Sequence, residues 1–316
     1  MARKSDARKR KTRYVPHAAA ARFRPTEDWS VDEAQDLFDN ARFDIEVDTV
    51  YYEDCIAGME KLPKECVDVV IADPPFGISF DGKASIYNRE EALVVEGYKE
   101  IEENYYDFSV AWISRVTRVL KKTGSAWVFS GWTNLRDVLN AIEKSGLHLV
   151  NHIIWKYQFG VFTKRKFVSS HYHVLFLVKD PRKYYFNKIE HYPLDVWEIK
   201  RTYMAGQEKN STKLPERLVM RCIDFTSRPG DLVLDPFMGN GTTAVVAKAT
   251  YRHYLGFEIN SDLRPFIDRN LERVRIGQYY SPYSSRPDEI VVKARSKFGV
   301  DSDCAEGQMP IDSWLE

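Results

Sequence analysis

Val67-Asp68-Val69-Val70-Ile71-Ala72-Asp73-Pro74-Pro75-Phe76-Gly77 (VDVVIADPPFG, residues 67–77) decides how the rest of this chain is read. Its first six residues are apolar apart from Asp68 and rich in β-branched side chains, which suits a short buried strand. Two prolines end that strand, because proline has no N–H to give to a ladder and fixes its own φ. The corner Asp73-Pro74-Pro75-Phe76 then presents a carboxylate, a stiffened carbonyl and an aromatic face together. Open α/β sheets bind ligands beyond the carboxyl ends of their strands, so the corner is expected to line a pocket for a flat, amine-bearing ligand. The competing reading is a surface turn after a core strand.

Outward from this strand, helical and strand periodicities alternate. Upstream, Trp29 to Asn40 spaces Val31, Ala34, Leu37 and Phe38 as an amphipathic helix behind a Ser30 N-cap. Thr49 to Asp54 reads as a strand and Ile56 to Leu62 as a turn of helix. Downstream, Trp112, Val116, Val119 and Leu120 share a helical face; Lys121 to Gly124 is expected as a stop and Ser125 to Ser130 as a strand. Helix Asn134 to Lys144 leads to strands Leu147 to Lys156 and Tyr172 to Val178. Later come helix Leu214 to Phe225, strand Leu232 to Leu234, a glycine loop with its helix, strand Tyr254 to Ile259 and helix Asp262 to Val274. This βαβ cadence predicts an α/β fold of Rossmann-like type, a mostly parallel sheet covered on both faces.

Two intervals break the cadence. Residues 80–107 form an acidic loop long enough to expect a function or disorder. Asp180 to Thr212 mixes Arg182, Lys183, Lys188, Lys200, Arg201 and Lys209 with Tyr184, Tyr185, Phe186, Tyr192, Trp197 and Tyr203. That mixture suits phosphates and splayed bases, or else an irregular lobe whose aromatics pack on the sheet. The expected organisation is a basic arm at 1–25, halves of one domain at 26–179 and 213–276, a small recognition lobe at 180–212 and a peripheral tail at 277–316.

The 316 residues, 44% hydrophobic, are enough to bury a substantial core. The formal net charge of zero hides a basic block (Arg3, Lys4, Arg8, Lys9, Arg10, Lys11, Arg13, Arg22, Arg24) followed by an acidic one from Glu27 to Asp48. The basic block is read either as a phosphate-binding arm or as neutralised by its acidic neighbour. No apolar run reaches the roughly eighteen residues of a membrane span, and the basic start lacks a secretory apolar stretch, so a cytoplasmic location is expected. Cys55, Cys66, Cys222 and Cys304 form no C-x-x-C pair, which argues against a zinc knuckle or a disulfide framework. His171 and His173 are read as lying on opposite faces of their strand, one lining the pocket; His152 and His253 are assigned structural roles, and no metal is implied.

Gly239-Asn240-Gly241-Thr242-Thr243-Ala244 satisfies G-x-G-x-x-A between a strand and a helix, with Glu258 nineteen positions after Gly239. Such glycines let the backbone approach a nucleoside ligand, and such a carboxylate accepts from ribose hydroxyls. That pattern alone leaves a dehydrogenase and a methyl transferase both open.

Asp235-Pro236-Phe237 before the loop, together with Asp73-Pro74-Pro75-Phe76 earlier in the chain, resembles the β class of S-adenosylmethionine-dependent DNA amino-methyltransferases. In that class the catalytic tetrapeptide comes early and the glycine loop late. The resemblance spans roughly residues 48–274 and includes Ile153-Ile154-Trp155-x-Tyr157, His171 to Lys179, Asp195-Val196-Trp197 and Lys213 to Leu218. It implies catalytic roles for Asp73, Pro74, Pro75 and Phe76. It implies cofactor contacts from Asp54, Cys55, Asp73, Lys213, Pro215, Asp235, Pro236, Phe237, Gly239, Asn240, Gly241, Thr242, Glu258 and Ile259.

The implied reaction is methylation of an exocyclic amino nitrogen in double-stranded DNA, with adenine N6 preferred because Asp rather than Ser stands at position 73. The target base is flipped, and stacking on Phe76 is worth on the order of 1–3 kcal/mol. Phe76 stands where the family usually has tyrosine, and Lys213-Leu214-Pro215 where it usually has Lys-Pro. Cytosine N4, an RNA substrate and a catalytically silent nucleic-acid-binding subunit are the alternatives. A homodimer and a cognate restriction enzyme are partners the resemblance allows, and the interval 180–212 is shorter than many members' recognition domains.

Overall fold

The computed structural model describes residues 23–75, 104–158, 164–201 and 213–286. Phe76, most of the basic arm, nearly all of the 80–107 loop, residues 202–212 and the tail after Arg286 lie outside the described residues.

One sheet of eight strands organises the chain. In chain order the strands are β1 (Thr49–Tyr51), β2 (Val67–Ala72), β3 (Leu120–Ser130), β4 (His148–Lys156), β5 (His171–Val178), β6 (Val196–Glu198), β7 (Leu232–Asp235) and β8 (His253–Phe257). Across the sheet they run β1-β8-β7-β2-β3-β5-β4-β6, and only β5 opposes its neighbours. The mostly parallel sheet expected from the βαβ cadence is therefore what forms.

Period-two alternation divides the core into two faces. Leu232, Leu234, Ala126 and Val128 point to the side covered by α2 (Cys55–Lys61), α3 (Tyr105–Val119) and α4 (Leu135–Ser145). Val69, Ile71, Val233, Trp127 and Phe129 point to the side covered by α5 (Glu216–Thr226), α6 (Thr242–Ala249) and α7 (Arg264–Glu272). The first helix, α1 (Val31–Asn40), sits apart, packing Ala34 and Phe38 on Tyr251 and Tyr280. Ser30 caps it through a full capping box with Glu33, as its sequence signature implies.

Several boundaries differ from the sequence reading. The run Lys121 to Gly124 is no stop but the first part of β3, since Lys121 pairs with Asp68 of β2 at 2.8 Å and gives the cation a partner in the ladder. β1 ends at Tyr51 because Asp54 is taken as the N-cap of α2, accepting from the Ala57 N–H at 2.9 Å. β8 ends at Phe257 because Glu258 turns to bind backbone amides. Val196–Glu198, inside the interval expected to be an irregular lobe, pairs with β4 as an edge strand, while Tyr184 and Phe186 pack against the core.

The tail read as peripheral is tied down as far as Arg286. Arg252, fully buried, donates to the Ser227 carbonyl at 2.8 Å and the Tyr283 hydroxyl at 3.0 Å, with Asp224 3.7 Å away; Arg286 reaches the other Asp224 oxygen at 2.5 Å. A buried cation left without such partners would cost several kcal/mol, so the tail residues complete a charge cluster the core requires.

Candidate active site

The chain goes right from β2 to β3 and left from β7 to β8, so the topological switch point falls between adjacent strands β2 and β7. Ligand crevices in such sheets open at that point, beyond the carboxyl ends. Val70 pairs with Leu234, and carrying the register upward sets Asp73 beside the Asp235 to Phe237 segment, one strand spacing of about 4.8 Å away. Two corners 162 residues apart in sequence, Asp73 and Asp235, thus share one rim of the sheet.

At the β7 corner the Asp235 carboxylate is buried and engaged. One oxygen accepts from the Phe237 N–H at 2.8 Å and the other from the Thr243 hydroxyl at 2.5 Å, so the side chain staples the start of the loop to the first turn of α6. Gly239 and Gly241 hold φ of +51° and +78°, the left-handed region that glycine enters without penalty. The Gly239 N–H donates to Glu258 at 2.7 Å and the Asn260 N–H to its other oxygen at 2.8 Å. Each of those oxygens keeps a second lone pair for a hydroxyl. Beside Glu258, Ile259 is 69% exposed, a free apolar surface on the rim.

At the β2 corner Pro74 is buried, Pro75 and Asp73 are half-buried, and Asp73 has no hydrogen-bond partner among the described residues. Burial, and then the neighbouring Asp235, push its carboxyl up to about 7, while Arg201 pulls the other way. Burial raises Asp235 to about 7 as well, against the bonds from Thr243 and Phe237. Two carboxyls so close resist ionising together, and a cation placed between them would relieve the repulsion.

Beyond β3 and β5 the rim becomes aromatic. Arg201, just after β6, lies over the rings of Tyr157 at 4.4 Å, Trp155 at 5.2 Å and Tyr172 at 5.2 Å. Trp132, in the turn after β3, is 66% exposed. The sequence reading placed Arg201 in a basic and aromatic mixture without its stacking partners and did not single out Trp132, whose only signal was a lone aromatic in a polar turn.

The remaining candidates divide. Asp54 is exposed at the end of β1 with one oxygen committed to its helix. The Cys55 thiol is buried and pushed up to about 12, by burial first and by Asp54 and Asp235 after it, so it stays protonated. Pro236 and Thr242 are buried supports of the loop, and Asn240 accepts at its carbonyl from Asn270 at 3.1 Å. Pro215 is the buried N-cap of α5, and Lys213 is 3.1 Å from Glu216 in the first turn of that helix. Phe76 lies outside the described residues.

The histidine reading is corrected. Residues two apart on a strand share a face, and the His171 and His173 rings lie 5.2 Å apart on one side of β5. His173 is buried, bonds His152 at 2.7 Å and is lowered to about 4, chiefly by burial and then by its two histidine neighbours. His152 is thus part of this cluster, while His253 stacks on Phe38 and bonds Asp48, a packing role. Among the described residues no group of three His, Cys, Asp or Glu side chains is arranged to hold a metal, and no helix is long and apolar enough to cross a membrane.

The profile described as DNA methylase matches residues 67–267, from the first residue of β2 into α7. The chain is 31% identical over 272 residues to the DNA adenine methyltransferase YhdJ of Escherichia coli (strain K12), covering 76% of this chain and 87% of that protein. Among solved structures, the M1.HpyAVI–SAM complex superposes with a TM-score of 0.53 at 21% identity, covering 71% of this chain and 98% of that one. PvuII DNA methyltransferase (cytosine-N4-specific) does so at 0.55 and 17%, covering 81% and 96%; at these identities the two structures speak to the fold. With both the matched span and the relative covering most of its length, the chain belongs to the DNA methylase family of adenine-N6 and cytosine-N4 amino-methyltransferases, enzymes that draw their methyl group from S-adenosylmethionine.

Proposed function

We propose that the protein methylates the exocyclic amino nitrogen of adenine in double-stranded DNA, with the base extruded from the helix. The observation that carries this reading is the pair of corners: an Asp73 carboxylate with no partner among the described residues, one strand from a glycine loop that its own aspartate holds through both oxygens. The residues present fit an adenosyl cofactor. Gly239 and Gly241 leave backbone room, Glu258 has lone pairs for ribose hydroxyls, and exposed Ile259 offers a face to a purine. The clustered carboxyls of Asp73 and Asp235 favour a cationic sulfonium over a neutral thioether.

When bound, S-adenosylmethionine supplies an electrophilic methyl. The amino nitrogen of adenine is a poor nucleophile because its lone pair is delocalised into the ring. Asp73 and the Pro74 carbonyl accept its two hydrogens, favouring a pyramidal nitrogen whose lone pair is directed across the rim toward the glycine corner. After methylation the nitrogen gives up one proton, which Asp73, titrating at about 7, can take. Positioning and electrostatics carry the rate. Adenine is preferred over cytosine because Asp stands at position 73 and because the relative from Escherichia coli is named an adenine methyltransferase.

The test is expression in a host free of both modifications, followed by digestion of its DNA to nucleosides and mass identification. N6-methyladenine is expected. N4-methylcytosine would overturn the base assignment, and a modified base confined to RNA would overturn DNA as the substrate.

A further inference from the structure

Just past β6 the backbone of Arg201 is clamped to the end of β4. Its N–H donates to the Gln158 side-chain oxygen at 3.2 Å, and the Gln158 side-chain amide donates back to the Arg201 carbonyl at 3.4 Å. From this fixed base the guanidinium lies over the rings of Tyr157, Trp155 and Tyr172, which pack on one another with centroids 5.5 to 5.8 Å apart. Its Nε is buried without a hydrogen bond, and among the described residues no carboxylate pairs with it. A cation held this firmly, with no anion of its own, acts on whatever charge lies within reach.

The strand registers show which charge that is. Trp155 and Tyr172 belong to the same face of the sheet as Ile71 and Phe129, and Asp73, two residues after Ile71, continues that face. Ala72 lies beside Val128, and Ser130 beside His173, so Asp73 of the β2 corner and Tyr172 of β5 come to the rim on either side of β3. Two strand spacings, about 10 Å, separate their backbones, and the Arg201 side chain hangs over the Tyr172 end of that span. The β3 side chain between them on this face is the buried Phe129. Across such an apolar spacer opposite charges are weakly screened.

We infer that Arg201 is the fixed counter-cation of the catalytic corner, a positioning residue that acts through Asp73 and keeps it a carboxylate ready to accept the amino hydrogens of the target base. The role rests on the function proposed above. Arginine suits it, because a guanidinium stays charged across the working pH range and stacks flat on aromatic rings. A residue that grips phosphate would stand in solvent, as neighbouring Lys200 does, whereas Arg201 is half-buried against its rings. The charged groups that bear on Asp73 are Asp235 of the β7 corner, which together with burial raises its carboxyl, and Arg201, which lowers it. Tyr157, packed on Arg201, is raised above its ordinary value of 10, chiefly by burial, and stays neutral throughout.

The experiment follows methyl transfer by the full chain to a duplex carrying the methylated site, from pH 6 to pH 9, with S-adenosylmethionine saturating at each pH. Arg201→Met keeps a long side chain over the rings and removes the charge. Its acidic limb is expected to move to higher pH by about one unit, the low end of what a nearby opposite charge supplies. Transfer relative to wild type should then fall about tenfold at pH 6 and recover at pH 9, where Asp73 is ionised in both proteins. Arg201→Lys restores a cation and should bring the limb back to its wild-type position, whatever the loss of stacking does to the rate overall. S-adenosylhomocysteine affinity should change by no more than a few fold in either variant.

A loss in Arg201→Met that is the same at every pH, no loss at all, or a limb that moves equally in Arg201→Lys overturns the counter-cation while leaving the methyltransferase reading standing. A wild type that binds cofactor and duplex but transfers at no pH overturns that reading and the role of Arg201 with it. The position of the limb, unlike the rate, does not depend on how much of a variant is folded, so a folding defect in Arg201→Met leaves the comparison with Arg201→Lys decisive.

Discussion

The same dipeptide, Asp-Pro, ends two neighbouring parallel strands, and the two aspartates are used in opposite ways. Asp235 spends both oxygens on its own loop, on Phe237 and Thr243, whereas Asp73 spends neither on any described residue. A buried carboxylate that holds its own loop through both oxygens shapes a site; one left open at the same rim is available to a substrate. The sharpest way to break this comparison is to remove each in turn. Asp73→Ala is expected to cost transfer about 10²- to 10³-fold, as loss of a single preorganised transition-state contact does, with S-adenosylhomocysteine affinity in calorimetry changed by no more than a few fold. Asp235→Ala should reverse the pattern. Leaving the Thr243 hydroxyl and Phe237 amide unpaired costs on the order of 1–3 kcal/mol of stability, visible as a lower melting temperature, and cofactor affinity falls with the loop. If instead Asp73→Ala unfolds the protein and Asp235→Ala spares it, the assignment of roles is inverted.

The charge state of the pair gives a second, smaller effect. Both carboxyls sit at about 7, raised mainly by burial, so at pH 6 they are largely protonated and at pH 8 largely ionised. A sulfonium attracts the ionised forms. Affinity for S-adenosylmethionine should therefore rise by about tenfold in total between pH 6 and pH 8 for each group whose ionised form the sulfonium needs, then level off. S-adenosylhomocysteine, with no charge at sulfur, should show a flatter profile. Stability of the free protein runs the other way. A carboxyl whose folded value lies above its unfolded one contributes stability that is full below about 4 and lost as pH rises through about 7. Melting temperature against pH should accordingly flatten in Asp235→Asn.

Both corners were legible in the sequence because each combines a buried-strand pattern with an Asp-Pro stop, followed at the second corner by glycines that take the left-handed region. Their adjacency followed from a resemblance, and the register of β2 with β7 gives it a physical basis. Where the reading failed, long-range partners decided. Nothing local shows that Asp68 will draw Lys121 into β3, that a three-residue strand will pair with β4, or that Tyr283 and Arg286 will complete a cluster around Arg252. The histidine error was different in kind, a miscount of strand period that the sequence itself could have corrected.

Within the glycine corner the comparison can be drawn once more, at its finest. Gly239 and Gly241 both hold left-handed φ, but their surroundings differ. A Cβ added at Gly241 would meet Ile267 at 3.1 Å, against the packed start of α6, whereas one added at Gly239 would have only the Phe237 carbonyl at 3.8 Å, in open space. Alanine at either position carries the conformational cost of the left-handed region, about 1–2 kcal/mol. At position 241 the contact with Ile267 adds to it, so Gly241→Ala should lower the melting temperature more than Gly239→Ala. The functional order should be the reverse: the open space at Gly239 is what a nucleoside would occupy, and a methyl there obstructs the ligand as well as straining the turn. Calorimetry of both variants with S-adenosylhomocysteine, each at a temperature where it is folded, should show the weaker binding in Gly239→Ala despite its greater stability. A parallel loss of stability and affinity at both positions would mean that the loop shapes the fold without touching the cofactor.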